Sequence, residues 1–208
     1  LYIAQQTNPN IIQTLQSQVL NGGMSMLIPY VYTSKYNPGV ATSATITNRY
    51  SRANGIRLQK IYFSAFNNTE STFTSLDCSN TLPGTNSAYA KVTTFYTQLD
   101  GNRLQDFSID CTRYDDYMLL KDKLKGSVIQ SRSIYQYNWF WLEDFTWAEN
   151  KALHDYENLE TGLDLSMERK WEFIDLTLRD NVGGNATSYN FYTFAVCQKM
   201  LSIGPAGI

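Results

Sequence analysis

The sequence predicts a mainly β protein: an eight-stranded antiparallel sandwich with an N-terminal helix and one or two short helices in its loops. Three observations carry that expectation. The chain is 43% hydrophobic and 14% aromatic but only 17% charged, so its surface must be rich in Ser, Thr, Asn, Gln and Tyr, a mix that suits strands and turns better than exposed helices. Apolar and polar residues alternate with period two in several runs bounded by turn residues. No strand–helix–strand rhythm of the kind that builds parallel sheets is present. At 208 residues the chain can bury a sizeable core in one domain. It divides into residues 1–22, a linker with an amphipathic helix, and 23–208, the β domain.

Asn8-Pro9 reads as an N-cap followed by proline at the first helical position, and Ile12, Leu15 and Val19 then fall on one face before Asn21-Gly22-Gly23 ends the pattern. That stripe is expected to pack against the body of the protein, with partner binding as the other reading. Met24–Thr33 reads as a strand, with Pro29 hinting at an edge or bulge. Ala41–Tyr50 and Ile56–Phe66 are two more, joined by the turn residues Asn54-Gly55. Residues 67–90, rich in Asn, Ser and Thr, read as a long surface loop. Asp100-Gly101 between two strand-like runs is a hairpin signal, because glycine tolerates the positive φ of a tight turn.

Arg113 to Gly126 is helical in pattern. Tyr117, Leu120 and Leu124 form its stripe, the two Asp stand at the electropositive start, Lys121, Lys123 and Lys125 lie towards the end, and the charges read as a solvated face. Ile134–Phe145 is densely aromatic and strand-like. Thr146 and Glu149 are spaced as a capping box for a short helix with Leu153 facing inward. From Gly162 to Leu178 the alternation Leu163, Leu165, Met167 and then Trp171, Phe173 predicts one long or bent strand. Ser188–Ile203 is largely apolar on both faces, which predicts a central strand.

The formal net charge of −2 gives no basic footprint for nucleic acid. No apolar run reaches the ~20 residues of a membrane span, and the first residues lack the zones of a signal peptide. Because the chain starts with Leu, it fits a processed product or a portion of something longer. Cys78, Cys111 and Cys197 have no close spacing, and His154 is the only histidine, so no zinc set is expected. Buried thiols are the first reading of the cysteines, and a Cys78–Cys111 bridge is the second. Asn67-Asn68-Thr69 and Asn185-Ala186-Thr187 match glycosylation acceptors.

His154, in a charged helical context, reads as an exposed residue rather than a triad base. Glu168 and Glu172 lie four apart on the predicted strand and could share a face, as the two acids of a glycanase do, with Trp139, Trp141, Trp147 and Trp171 as sugar platforms. Glu168-Arg169-Lys170 reads more simply as a salt-paired bend, and tryptophans in strands are more often core. The expectation is therefore no catalytic, cofactor-binding or metal-binding residue, no cofactor and no enzyme.

Long loops on some connections and short hairpins on others favour a jelly roll over an up-and-down barrel. The strand pair "TITNRYSRANGIRLQKIYFSAFNN", the stretch "TQLDGNRLQDFSIDCTRYDDYMLLKDKLKGSVI", the aromatic "YQYNWFWL" and the closing "RKWEF" and "YNFYTFAVCQKMLSI" resemble, in order and character, the C-terminal barrel of the double jelly-roll major capsid proteins of tailless icosahedral DNA viruses and phages. The likeness covers most of the chain and rests on no invariant motif. A complete member carries two barrels, and this length supplies one, so a second barrel or a single-barrel vertex role stays open.

The resemblance implies a structural virion protein assembled in the host cell interior into trimeric, pseudo-hexameric capsomers. Its expected partners are further copies of itself and neighbouring capsid and vertex proteins, with no direct nucleic acid and with proximity to an internal membrane but no insertion. The 15 Tyr and 4 Trp suit such contacts, since they bury large rigid area at low entropic cost. The alternative is a non-catalytic carbohydrate- or receptor-binding sandwich, for which the tryptophans would have to stand exposed in a row.

Overall fold

The computed structural model describes residues 8–37, 44–67, 78, 92–124, 131–146, 162–177 and 189–204. Helix α1 (Pro9–Gly22) opens the described chain. Its Asn8 Oδ1 accepts the Asn10 backbone N–H at 3.1 Å, and the Gly23 N–H, at φ 79°, closes it on the Val19 carbonyl, as the cap residues predict. Strands β1 (Met24–Tyr36), β2 (Ala44–Tyr50), β3 (Arg57–Asn67), β4 (Thr94–Leu99), β5 (Asn102–Arg103) and β6 (Ile109–Asp110) follow. After α2 (Asp115–Lys123) and α3 (Arg132–Tyr137) come β7 (Trp141–Asp144), β8 (Leu163–Asp164), β9 (Arg169–Asp175) and β10 (Tyr189–Ile203).

These strands make two antiparallel sheets, a β-sandwich. The first has the order β1-β10-β3-β7, with β8 also on β3; the second has the order β2-β9-β4-β5, with β6 also on β4. β7 pairs with Lys60 to Phe63 and β8 with Arg57 and Leu58, so the two lie end to end along one edge of β3. β10 is central as its two apolar faces predict, and it pairs with β1 from Met24↔Ile203 to Tyr36↔Phe191.

Alternation explains the core. Phe63 and Phe191 of the first sheet and Phe95, Trp171 and Phe173 of the second all point inward and are buried. Phe63 stacks on Phe173 with centroids 4.0 Å apart, and Phe95 on Phe173 at 4.7 Å, while Trp141 meets Phe95 edge-on at 5.1 Å. Aromatic pairs of this kind add to what area burial alone contributes.

The Asp100-Gly101 turn is present, with φ 53° and 82°, the doubly left-handed pair of a tight hairpin. It is locked to β9: the Lys170 N–H donates to Asp100 Oδ1 at 2.8 Å and Arg169 Nη1 to Oδ2 at 2.9 Å. The returning run leaves the ladder after Arg103 and rejoins it at Ile109. Gln105 fills the gap, its Oε1 accepting the Thr97 N–H at 2.8 Å. Gly55 matters for a different reason, because a Cβ there would stand 2.3 Å from the Gln198 carbonyl oxygen.

Three expectations need correction. Ile134–Phe145 is not one strand: it divides into α3 and β7, because Tyr135 and Trp139, four apart, both turn into the core before the chain extends. Residues 162–178 do not form one strand either. β8 belongs to the first sheet and β9 to the second, and the alternation breaks between them, where Met167 is 72% exposed, while Leu165, Trp171 and Phe173 are buried in the same core.

Of the α1 stripe, Ile12 and Val19 are half-buried, while Ile11 and Leu20, outside the stripe, remain 43% and 67% exposed. The charged face of α2 is not wholly solvated, because Asp116 is buried, although Tyr117, Leu120 and Leu124 do pack on the core as expected. Thr146 caps no described helix; its N–H and hydroxyl both donate to Asp144 Oδ1. Glu149, Leu153, His154, Trp147 and the Asn185 triplet lie outside the described residues, as do all but Asn67 and Cys78 of the predicted loop.

Candidate functional site

The two glutamates nominated for a glycanase stand outside the core and are held by cations. Glu168, in the exposed bend before β9, pairs with Arg49 of β2. Glu172 points outward from β9, where Lys170 Nζ lies 2.8 Å from its Oε1 and the Thr47 hydroxyl donates to the same oxygen at 3.0 Å. The Lys170 ammonium holds the Glu172 carboxyl below the ordinary carboxylate range, the reverse of what a general acid requires. The described partners of both are cations and a hydroxyl, not a facing acid.

Trp139, Trp141 and Trp171 are 1%, 0% and 0% exposed, so none of the three forms a surface platform. All three cysteines are thiols, and the Cys78–Cys111 bridge is not formed. Burial pushes the Cys197 thiol up to about 11 and also raises Cys111 well above its ordinary value, with the neighbouring Asp116 charge adding to the effect. Neither is an activated nucleophile. Among the described residues no group of His, Cys, Asp and Glu could hold a metal ion, and no helix is long and apolar enough to cross a membrane.

The polar chemistry of the interior lies instead on two carboxylates that sequence reasoning passed over. Glu143 of β7 shares the inward face of Trp141 by strand alternation. Its Oε1 accepts from Thr97 Oγ1 at 2.5 Å, Trp141 Nε1 at 2.7 Å and Gln105 Nε2 at 2.9 Å; its Oε2 accepts from Lys123 Nζ at 2.9 Å. Lys123 also donates to the Leu142 carbonyl at 2.8 Å and lies 4.3 Å from the Trp141 ring centroid. One carboxylate thereby ties α2, β4, β7 and the Gln105 excursion together.

Asp116, in the first turn of α2, is buried at 2% exposure. Its Oδ2 accepts the Trp139 indole N–H at 2.8 Å, but its Oδ1 is buried with no hydrogen-bond partner. Burial pushes its carboxyl above the ordinary range, against the opposing pull of the Trp139 indole, the Tyr117 backbone N–H, Tyr135 and Cys111. The period-two pattern could have exposed Glu143. Nothing local distinguishes Asp116 from any acid at a helix start.

Among the described residues, β1 and α1 carry several exposed apolar side chains. β1 is an edge strand, bonded only to β10 among the described residues, and Met26, Tyr30, Val31 and Tyr36 on it are exposed, with Val31 52% exposed. Met200 of β10 and the exposed Ile11 and Leu20 of α1 add to these residues. From Pro9 to Tyr36 the only charged residue is Lys35. Edges of soluble proteins are normally blunted by several charges. No protein-family model matches the chain, and a search of curated proteins finds no match either.

Proposed function

We propose that this chain is a structural virion protein, a jelly-roll capsid subunit that assembles into trimeric capsomers. The strand order supports the fold part of the reading. With β5 and β6 taken as one interrupted strand and β8 as a continuation of β7, successive strands fall into two interleaved four-stranded sheets, the double-sheet arrangement of a jelly roll. The assembly part rests on the α1–β1 edge. A contact between identical copies brings like surfaces or a fixed pair of surfaces together, and a tract with one charge in 28 residues does so without repulsion.

The buried tryptophans support the same choice, since a sugar-binding sandwich would display them. In this reading the chain has no catalytic role, and its partners are further copies of itself and neighbouring shell proteins in the virion.

Light scattering across a concentration series tests the assembly. A concentration-dependent trimer or larger closed assembly is expected, and Val31→Glu combined with Leu20→Glu is expected to return it to monomer, since both positions are exposed and neither change should disturb the core. A strict monomer at every concentration would overturn the reading.

A further inference from the structure

Asp116 brings a titratable group to the junction of three segments, and the protons around it do not suffice. Tyr135 of α3 adjoins it, yet the Tyr135 hydroxyl donates to the Phe140 carbonyl at 3.0 Å. Trp139 gives its one N–H to Oδ2. Cys111 offers only a weak S–H donor. The Tyr117 backbone N–H also acts on the carboxyl, but among the described residues no donor reaches Oδ1 in hydrogen-bond geometry, a costly state for a buried carboxylate.

The other charged groups offer no relief. Asp110 of β6 and Asp175 of β9 act on the same cluster through Cys111 with like charge, and Asp115 precedes it on α2. The described ion pairs go to Asp100, Glu143, Asp144, Glu168 and Glu172, and none to Asp116.

We propose that Asp116 is a proton-operated latch between α2 and α3. With a proton from solvent on Oδ1, the acid donates to Tyr135 Oη, whose own proton goes to the Phe140 carbonyl, and the chain of hydrogen bonds from α2 through α3 to the segment before β7 is complete. When the acid loses that proton, the carboxylate competes for the Tyr135 hydroxyl, and either Oδ1 or the Phe140 carbonyl is left without a donor. The latch closes in acid and loosens as pH rises. It is a property of the single chain and does not depend on the assembly proposed above.

The sign follows from linkage. A carboxyl whose folded-state pKa lies above its unfolded value contributes stability that is complete below the unfolded value and disappears as pH rises through the folded one.

The test compares thermal unfolding of the wild type and Asp116→Asn between pH ~4 and pH ~7, the interval above the ordinary Asp value. Asparagine keeps an acceptor for Trp139 and supplies a permanent donor towards Tyr135. The variant's melting temperature should therefore rise relative to wild type as pH increases, and parallel curves would overturn the latch. If the variant fails to fold, carbon NMR on the wild type decides the matter. A side-chain carboxyl resonance, connected to the Asp116 backbone, that titrates above the ordinary Asp range supports the latch, and one that titrates within or below it overturns it. Tyr135→Phe gives the readout a merely structural role would not move. The pH dependence of amide protection in α3, after correction for intrinsic exchange, is expected in wild type and should vanish in this variant, and its persistence would remove Tyr135 from the chain.

Discussion

Glu143 and Asp116 are both buried acids, and each accepts an indole N–H, from Trp141 and Trp139 respectively. They differ in what else reaches them. Glu143 has four donors, one of them an ammonium, spread over both oxygens. Asp116 has one well-placed donor, the Trp139 indole, and a bare oxygen. Burial alone thus does not decide what a carboxylate does inside a protein; the supply of protons around it does. The first acid is a fixed tie between elements, whereas the second can change state.

The comparison is most severely tested at Glu143. Glu143→Ala leaves Lys123, Thr97, Gln105 and Trp141 without their common acceptor, and urea unfolding should show a loss of about 3–5 kcal/mol, the usual result of stranding one half of a buried pair. A loss under ~1 kcal/mol would mean that the network is ornamental. Lys123→Met should cost less, about 2 kcal/mol, because the lysine side chain keeps 28% of its exposure and the carboxylate retains three donors. A double-mutant cycle with Glu143→Gln should return a coupling of ~1–3 kcal/mol, and simple additivity would contradict the tie.

At Asp116 the expectation has the other sign. Asp116→Asn near pH 7 should be neutral or stabilising by up to about 1 kcal/mol, because it removes an incompletely solvated charge without removing volume. A loss as large as that of Glu143→Ala would erase the distinction between the two acids. The smallest effect belongs to the surface. Arg49 and Glu168 keep 61% and 50% of their side-chain exposure, so Glu168→Gln should change stability by less than ~0.5 kcal/mol and by less still in high salt.

What could be read from the sequence divides along the same physical line between local and tertiary causes. The Asp100-Gly101 turn, the cap at Asn8-Pro9 and the central position of β10 were legible because each depends on a residue's own conformational preference or on its two faces. The division of residues 162–178 between two sheets was not, because Leu163 and Trp171 look inward to one core from opposite sides. α3 was hidden because Tyr135, Trp139 and Trp141 satisfy both a helical and an extended spacing. Of the interior site, Glu143 was readable in principle from its phase with Trp141. Asp116 was not, since its environment is assembled from Cys111, Tyr135 and Trp139, which no local pattern connects to it.

The pairing of β1 with β10 also sets a schedule. Met24 finds its partner only in Ile203, so one edge of the first sheet cannot be zipped until nearly every other described element exists. Pairings this distant in sequence make folding slow. During synthesis, β1 must wait on the ribosome with Tyr30, Val31 and Tyr32 unpaired while the rest of the chain is translated, at 5–20 residues per second by the usual rates. For those seconds the edge, with Lys35 as its one charge, is a place where two nascent chains can meet, and folding has to outrun that encounter.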